Sequence, residues 1–177
     1  MADFTDAQLF VHSAEGGFQA DPRDRGNWTS GKIGQGELAG TNYGISAMFL
    51  SQHRARPVTR REMEELTYAQ AVDIYRASFW QPLQLDLLTD QQLALLLYDC
   101  AVNQGTGTAR AALRHAVRHA GGKVTRTQTT RELIAEANRH DPARLHALVW
   151  EYRRDKYPHP SPFYKGWMRR LDRLRRR

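Results

Sequence analysis

The spacing of apolar residues along the chain predicts a protein built mainly from helices. In two stretches these residues recur every three or four positions, the spacing that places side chains on one face of a helix. The two stretches contain Leu93, Leu96, Leu97, Cys100 and Ala101, and then Leu145, Leu148, Val149 and Tyr152. Each apolar face is expected to pack into the protein core.

Helix starts are marked by side chains that can bond the first backbone N–H groups. Five threonines precede a glutamine or glutamate by three residues, which is the spacing of a capping box. The pairs are Thr5 with Gln8, Thr59 with Glu62, Thr67 with Gln70, Thr89 with Gln92, and Thr129 with Glu132. Asp141 followed by Pro142 is a sixth start, because aspartate caps helices and proline fits the first turn. About seven helices are predicted in all.

Residues 15–46 depart from the helical pattern. Glycines at positions 31, 34, 36, 40 and 44 are interspersed with the apolar Trp28, Ile33 and Leu38. This pattern predicts a short, irregular β-hairpin near residues 21–43. The predicted fold class is therefore mainly α with one small β excursion.

The composition fits a soluble globular protein. The chain has 177 residues, 41% of them hydrophobic, which suits one domain or a domain with a small appendage. Cys100 is the only cysteine and lies in an apolar run, which predicts a buried small hydrophobe and no internal disulfide. The first residues lack the basic and apolar regions of a signal peptide, and no apolar run reaches the roughly 18 residues of a membrane span. We expect synthesis in the cytoplasm without a signal peptide.

Positive charge is concentrated at the C-terminus. Residues 150–177 hold ten Lys or Arg residues against three acids, a surplus of seven that equals the net charge of the whole chain. Such a cluster implies attraction to a polyanion, which could be nucleic acid, an anionic membrane or an acidic wall polymer. No aromatic or glycine motif of a nucleic-acid module accompanies the cluster, so nucleic-acid binding is the less favoured alternative.

Glu15 is the strongest candidate for chemistry. It follows a helix-like run and precedes Gly16 and Gly17, which would allow a bulky polymer to approach the carboxylate. Cleavage of a glycosidic bond needs a carboxylic acid and a second group that attacks the sugar or positions water. Asp21, Asp24 and Thr29 are the candidate partners. The structural alternative is a solvated glutamate followed by an ordinary Asx-turn in "DPRD".

Four longer motifs carry a resemblance to a known family. "EGGFQADPRDRGNWT" and "GTNYGIS" resemble the signature of glycoside hydrolase family 108, N-acetylmuramidases found largely as phage endolysins. "YDCAVNQGTGTARAAL" and "FYKGWMRRL" resemble the peptidoglycan-binding-type module that follows the catalytic part in that family. The chain departs from the pattern at Asn27, where the family has the second glycine of a pair, and in a longer segment at residues 30–40.

The resemblance implies a lysozyme-like fold with a catalytic part at residues 1–90. Residues 91–177 would form the helical binding module with its basic C-terminal helix, packed with the catalytic part as one globular unit. Glu15 matches the catalytic glutamate, Asp24 and Thr29 match the polar positions after it, and Tyr43 matches the aromatic before Gly44. No cofactor and no metal are implied.

Further side chains are candidates for substrate contact. Trp28 is the tryptophan placed to stack on a sugar, and Asp21 is a further polar candidate beside it. Asp99 and Asn103 lie four residues apart on one helix face, where they could line a glycan groove or form buried structural hydrogen bonds. His115 and His119 have helical spacing but lack the glutamate of an HExxH zinc site.

The combined interpretation is a monomeric peptidoglycan hydrolase. It would cleave the β-1,4 bond between N-acetylmuramic acid and N-acetylglucosamine, as a phage endolysin acting on the wall after release. Its basic C-terminal helix would attract anionic outer-membrane lipid or wall polymer. A lytic transglycosylase using the same Glu15 is the alternative on the same substrate.

Overall fold

The structure is a computed structural model of the chain. It describes residues 1–12 and 17–175, with only the backbone of His12 described. Nine α-helices and one two-stranded sheet lie in these ranges. The helices are α1 Phe4–His12, α2 Ala47–His53, α3 Arg60–Glu64, α4 Tyr68–Tyr75, α5 Gln91–Gln104, α6 Thr106–His119, α7 Thr130–Ala137, α8 Pro142–Lys156 and α9 Tyr164–Arg173, and the strands are β1 Thr41–Asn42 and β2 Ile45–Ser46. The mainly α, lysozyme-like prediction is confirmed, with nine helices in the described ranges instead of about seven.

Most of the predicted helix starts are confirmed. Thr59 and Thr129 each form a complete capping box with the glutamate three residues later. Thr67 and Gln70 exchange the corresponding two hydrogen bonds. Asp141 caps α8 and Pro142 is its first residue.

Two of the start predictions are wrong, because an aspartate takes the capping position in place of a threonine. Asp90 caps α5 by accepting from the N–H of Leu93 at 2.8 Å. Thr89 instead donates its own N–H to Asn138 Oδ1 at 3.1 Å. At α1 the carboxylate of Asp3 accepts from the second and third residues of the helix, Thr5 and Asp6. A carboxylate at this position satisfies the first N–H groups at least as well as a hydroxyl does.

The chain forms two compact units. The helical unit comprises residues 1–7 and 75–177, and the hairpin unit comprises residues 8–74. In the helical unit α5, α6 and α8 pack against one another, and the predicted apolar face of α5 is buried from Leu93 to Ala101. Cys100 is buried there, and burial raises the pKa of its thiol to about 11. The prediction of an inert, buried cysteine is confirmed.

The hairpin unit contains the predicted β element, but its paired strands lie at the C-terminal end of the excursion. Thr41 pairs with Ser46 and Asn42 with Ile45 in antiparallel register. Before them the chain is mostly turns, with single bridges between Trp28 and Leu38 and between Gln19 and Thr41. The glycines at 31, 34 and 36 all have positive φ, so this segment reverses direction repeatedly and cannot extend into a ladder.

Candidate active-site loop

The predicted general acid, Glu15, lies outside the described residues. The site is therefore built from the segment that follows it, residues 17–46 of the hairpin unit. We call this segment the active-site loop. It contains five of the candidate residues, namely Asp21, Asp24, Trp28, Thr29 and Tyr43.

Asn27 is the organising residue of the active-site loop. It is fully buried, and its side-chain amide exchanges two hydrogen bonds with the amide of Gln19. Its Nδ2 also donates to the backbone oxygen of Asp21 at 3.0 Å, and its Oδ1 accepts from the Thr41 hydroxyl at 2.6 Å. Its backbone oxygen accepts from the N–H groups of residues 39 and 40. One side chain thus joins three parts of the loop that are distant in sequence.

Asp24 is held at the start of a single 3₁₀ turn, Arg25–Asn27. Its Oδ1 accepts from the N–H of Gly26 at 2.8 Å, which forms an Asx-turn. A Cβ at position 26 would lie 3.3 Å from this oxygen and 3.4 Å from Cβ of Ser46. The close approach explains the glycine and places Asp24 beside the end of β2. The carboxylate is exposed, and no described residue donates to Oδ2, so this oxygen can bind water or substrate.

Asp21 has a different electrostatic setting. The Asx-turn foreseen in "DPRD" is the bond from the Arg23 N–H to Asp21 Oδ1 at 2.9 Å. The Asp21 carboxylate also forms an ion pair with Arg23 at 2.8 Å, and the hydrogen bond from that guanidinium lowers the pKa of Asp21 to about 2. The group is therefore an anion at neutral pH. It can accept hydrogen bonds from a sugar but cannot serve as a proton donor.

Thr29 and Trp28 are both fixed by backbone groups of the loop. The N–H of Thr29 donates to the Glu37 oxygen, and the N–H of Glu37 donates to Thr29 Oγ1, each at 3.0 Å. A Cβ at Gly36 would lie 2.5 Å from that Oγ1, so only glycine lets the turn pass this close to the hydroxyl. The indole N–H of Trp28 donates to the Pro22 oxygen at 2.9 Å, which anchors the edge of a half-buried ring. Both side chains are oriented before any substrate binds.

Tyr43 lies at the tip of the β1–β2 hairpin. Its ring contacts that of Tyr68, with centroids 5.8 Å apart and planes at 62°. The hairpin is attached to the rest of its unit by Asn42, whose Nδ2 donates to the Met63 oxygen at 2.9 Å in a buried setting.

The other two candidates, Asp99 and Asn103, belong to the helical unit. Asp99 is completely buried, and its two oxygens accept from Arg153 Nη2 and Arg170 Nε, each at 2.7 Å. Asn103 donates to the backbone oxygen of Asp99 at 2.8 Å. This geometry favours the structural alternative for Asp99, because both of its oxygens are already occupied by charged donors.

Sequence reasoning missed three of the residues that carry these arrangements. Asn27 was noted only as a departure from the family pattern, although that departure was the available signal. Arg153 is fully buried in the middle of a basic C-terminal run that otherwise suggests a solvated face. The pattern of apolar residues on α8 gave no indication that Arg153 would bond Asp99, which is 54 positions away in the sequence. Arg170, in α9, was missed in the same way.

The two histidines with helical spacing, which the sequence did not favour as a zinc site, stack on each other. The rings of His115 and His119 have centroids 4.0 Å apart. Burial and the neighbouring His119 lower the pKa of His115. Within residues 1–12 and 17–175, no group of three or more His, Cys, Asp or Glu side chains is placed to hold a metal ion. In the same ranges no helix is long and apolar enough to cross a bilayer.

Comparison with known proteins identifies the family. The model of the family described as glycosyl hydrolase 108 matches residues 9–105, more than half of the chain. The chain belongs to the glycosyl hydrolase 108 family. The matched range includes Glu15, Asp24, Thr29 and Tyr43, so the family resemblance of the motifs around them is confirmed. Membership of this family indicates that the protein is a glycoside hydrolase that acts on peptidoglycan.

A solved structure of SagA from Brucella abortus is similar to this family 108 hydrolase over almost its whole length. The two share 26% sequence identity with a TM-score of 0.74, and the alignment covers 97% of this chain and 91% of the other. No curated protein sequence matches the chain. The predicted module at residues 91–177, which extends beyond the family match, stays a prediction.

Proposed function

We propose that this hydrolase is an N-acetylmuramidase that cleaves the β-1,4 bond between N-acetylmuramic acid and N-acetylglucosamine, and that it acts as a phage endolysin. The observation that supports this best is the position of Asp24. Within the segment matched by the family model, this carboxylate is exposed and fixed by its Asx-turn with one oxygen open to solvent. Glycoside hydrolysis uses a pair of carboxyl groups, and Asp24 follows Glu15 by nine positions in the sequence.

In the proposed reaction Glu15 donates its proton to the glycosidic oxygen as the bond from the muramic C1 breaks. Asp24 stabilises the positive charge that develops at C1 or, with Thr29, orients the water that attacks there. The water oxygen becomes the new hydroxyl on C1, and its proton passes to a carboxylate. The Thr29 hydroxyl can donate to that water because its oxygen is already oriented by the Glu37 N–H.

The test is clearance of purified peptidoglycan by wild type and by Glu15→Gln. Loss of a general acid lowers the rate by about a hundredfold or more, so Glu15→Gln is expected to be nearly inactive. Glu64→Gln is the matched control in the same unit, since Glu64 makes only a part-exposed ion pair with Arg60. Full activity of Glu15→Gln would contradict the proposal. Mass spectrometry of the products adds a second criterion, because anhydro-muramic ends would identify a lytic transglycosylase instead.

Residues 91–177 are proposed to bind the wall while residues 1–90 carry the chemistry. The basic helix α9 contributes an exposed charged face that includes Lys165 and Arg169. Its apolar side is buried at Leu171 and Leu174, and the indole N–H of Trp150 donates to the Leu171 oxygen at 3.0 Å. The amphipathic pattern of α9 therefore reflects packing within the helical unit, and attraction to outer-membrane lipid or wall polymer would come from charge alone.

Charge reversal at the exposed face of α9 tests this attraction. Lys165→Glu with Arg169→Glu should weaken sedimentation with purified wall or with anionic vesicles. Exposed charges are screened over about 8 Å at physiological ionic strength, so the difference from wild type should shrink as salt is added. Equal binding by both proteins at low salt would refute the role of α9. The two substitutions leave the buried contacts of α9 intact, whereas deleting residues 168–177 would remove them.

A further inference from the structure

Tyr43 has a backbone conformation that tyrosine rarely adopts. Its φ is 49°, and the next residue, Gly44, has a φ of 75°. These two residues form the two-residue loop between β1 and β2. Positive φ at both positions is what a type I′ turn requires, and asparagine, aspartate or glycine normally fills the first of them. A bulky side chain there is strained, and strain of this kind clusters at binding sites.

The strained residue presents its ring next to a second tyrosine. Tyr68 is the first residue of α4 and is 37% exposed. Its ring contacts that of Tyr43 nearly edge to face. Because Asn42 is tied to the Met63 oxygen, the hairpin tip is held and the pair is fixed in place. The two rings form a surface that we call the tyrosine platform.

The tyrosine platform is close along the chain to a residue that lies beside the Asp24 turn. Ser46, three residues after Tyr43, has its Cβ 3.4 Å from where a Cβ of Gly26 would lie, and the N–H of Gly26 donates to Asp24 Oδ1. Three residues of extended chain span at most about 11 Å. A glycan strand with one sugar beside Asp24 would therefore have a neighbouring sugar within reach of the platform.

We propose that the tyrosine platform binds one N-acetylated sugar of the glycan strand next to the bond that is cut. The proposal rests on the proposed muramidase function. A pyranose ring presents a face of C–H groups, and an aromatic face attracts such groups through its negative quadrupole. The edge-to-face pair offers one ring face to the sugar and a second ring beside it, with phenol groups able to bond hydroxyls or the N-acetyl carbonyl. Platform binding involves no net charge, so it should depend little on salt.

Two substitutions, each made together with Glu15→Gln to prevent turnover, test the platform. The probe is peptide-free glycan strands of alternating N-acetylmuramic acid and N-acetylglucosamine, with affinity measured by calorimetry. Tyr43→Asn removes the ring and supplies a residue that tolerates positive φ. We expect an unfolding midpoint no lower than that of the parent and an affinity reduced about three- to tenfold. Tyr68→Ala should reduce affinity similarly, and Tyr68→Phe should retain most of it.

The control is Leu9→Ala, which removes an apolar side chain from a residue that is 61% exposed in α1 and belongs to the hairpin unit. It should leave strand affinity unchanged. Unaltered affinity in both tyrosine variants, an equal loss in Leu9→Ala, or no strand binding by the Glu15→Gln parent would each overturn the platform. If Glu15→Gln alone still clears peptidoglycan, the catalytic assignment fails. If Glu15→Gln is inactive and both tyrosine variants bind the strands as tightly as it does, only the platform fails.

Discussion

Removing the charge of Asp99 should destabilise the helical unit more than any surface change. Asp99 and Arg153 are both completely buried and joined at 2.7 Å, and Arg170 of α9, whose side chain is 18% exposed, contacts the other oxygen. Arg153 also donates to the Leu96 oxygen at 3.0 Å and to Gln104 Oε1 at 3.2 Å. Burial opposes the charged guanidinium, but Asp99 and the other neighbours together outweigh burial and raise the pKa of Arg153. The Asp99 carboxylate is thus the counter-charge of an arginine that stays charged in the core.

The expected cost follows from leaving that guanidinium without its counter-charge. Breaking a fully buried ion pair by removing one partner costs about 3–5 kcal/mol. For a protein of this size, that corresponds to a drop in midpoint of about 6–20 °C. Replacing the pair with apolar residues, Asp99→Leu with Arg153→Met, removes both completely buried charges and leaves only the part-exposed Arg170 without its partner. That variant should lie within about 1–2 kcal/mol of wild type.

Urea denaturation followed by far-UV circular dichroism measures these differences in the free energy of unfolding. Asp155→Asn is the matched control, because it breaks the solvent-exposed pair of Arg154 and Asp155 and should cost under about 1 kcal/mol. A cost for Asp99→Asn as small as that of the control would refute the reasoning. So would an apolar double variant that is less stable than Asp99→Asn.

Three further predictions concern the hairpin unit. Asn27→Ala should cost about 1–3 kcal/mol, because the part-buried partners of its amide lose their hydrogen bonds, and should lower wall clearance; unchanged proteolytic resistance of the active-site loop would contradict this. Gly40→Ala places a Cβ 2.7 Å from a backbone oxygen at φ of 94°, whereas Gly34→Ala meets nothing within 4 Å, so in thermal unfolding the first should lose clearly more stability than the second. Glu62, paired with Arg56, has its pKa lowered from 4.5 to about 2, so its contribution is complete above pH 4.5 and disappears as pH falls toward 2. Glu62→Gln should accordingly flatten the dependence of stability on pH across that window, and an unchanged slope would count against the pairing.

Local signals in the sequence were sufficient for most helix boundaries and for the buried face of α5. A capping box needs only two residues three positions apart, and an apolar face repeats within one helix, so neither depends on tertiary structure. The same local reasoning missed Asp3 and Asp90, because several capping side chains stood close together and only packing selects among them.

The candidate site could be predicted only where its interactions are local. The Asx-turn of "DPRD" links Asp21 to Arg23, two positions apart, and was foreseen. The bond from Thr41 to Asn27 spans 14 positions, and that from Arg153 to Asp99 spans 54. Pairings of this range depend on how the chain folds back, and no spacing in the sequence encodes them. Hence the sequence showed Asn27 only as a departure from the family's glycine pair. It did not predict the arginine partners of Asp99.

The Asn27 contacts should keep the active-site loop in place when pH or ionic strength changes. The groups joined by that side chain are amides, a hydroxyl and a backbone carbonyl, and none of them gains or loses a proton in the range where carboxylates titrate. The catalytic carboxylates can therefore gain or lose a proton while the Asn27 hydrogen bonds that hold the loop stay the same. The contacts are also neutral and partly buried, so salt screens them little. A rise in ionic strength that weakens attraction to the wall would leave this part of the loop in place.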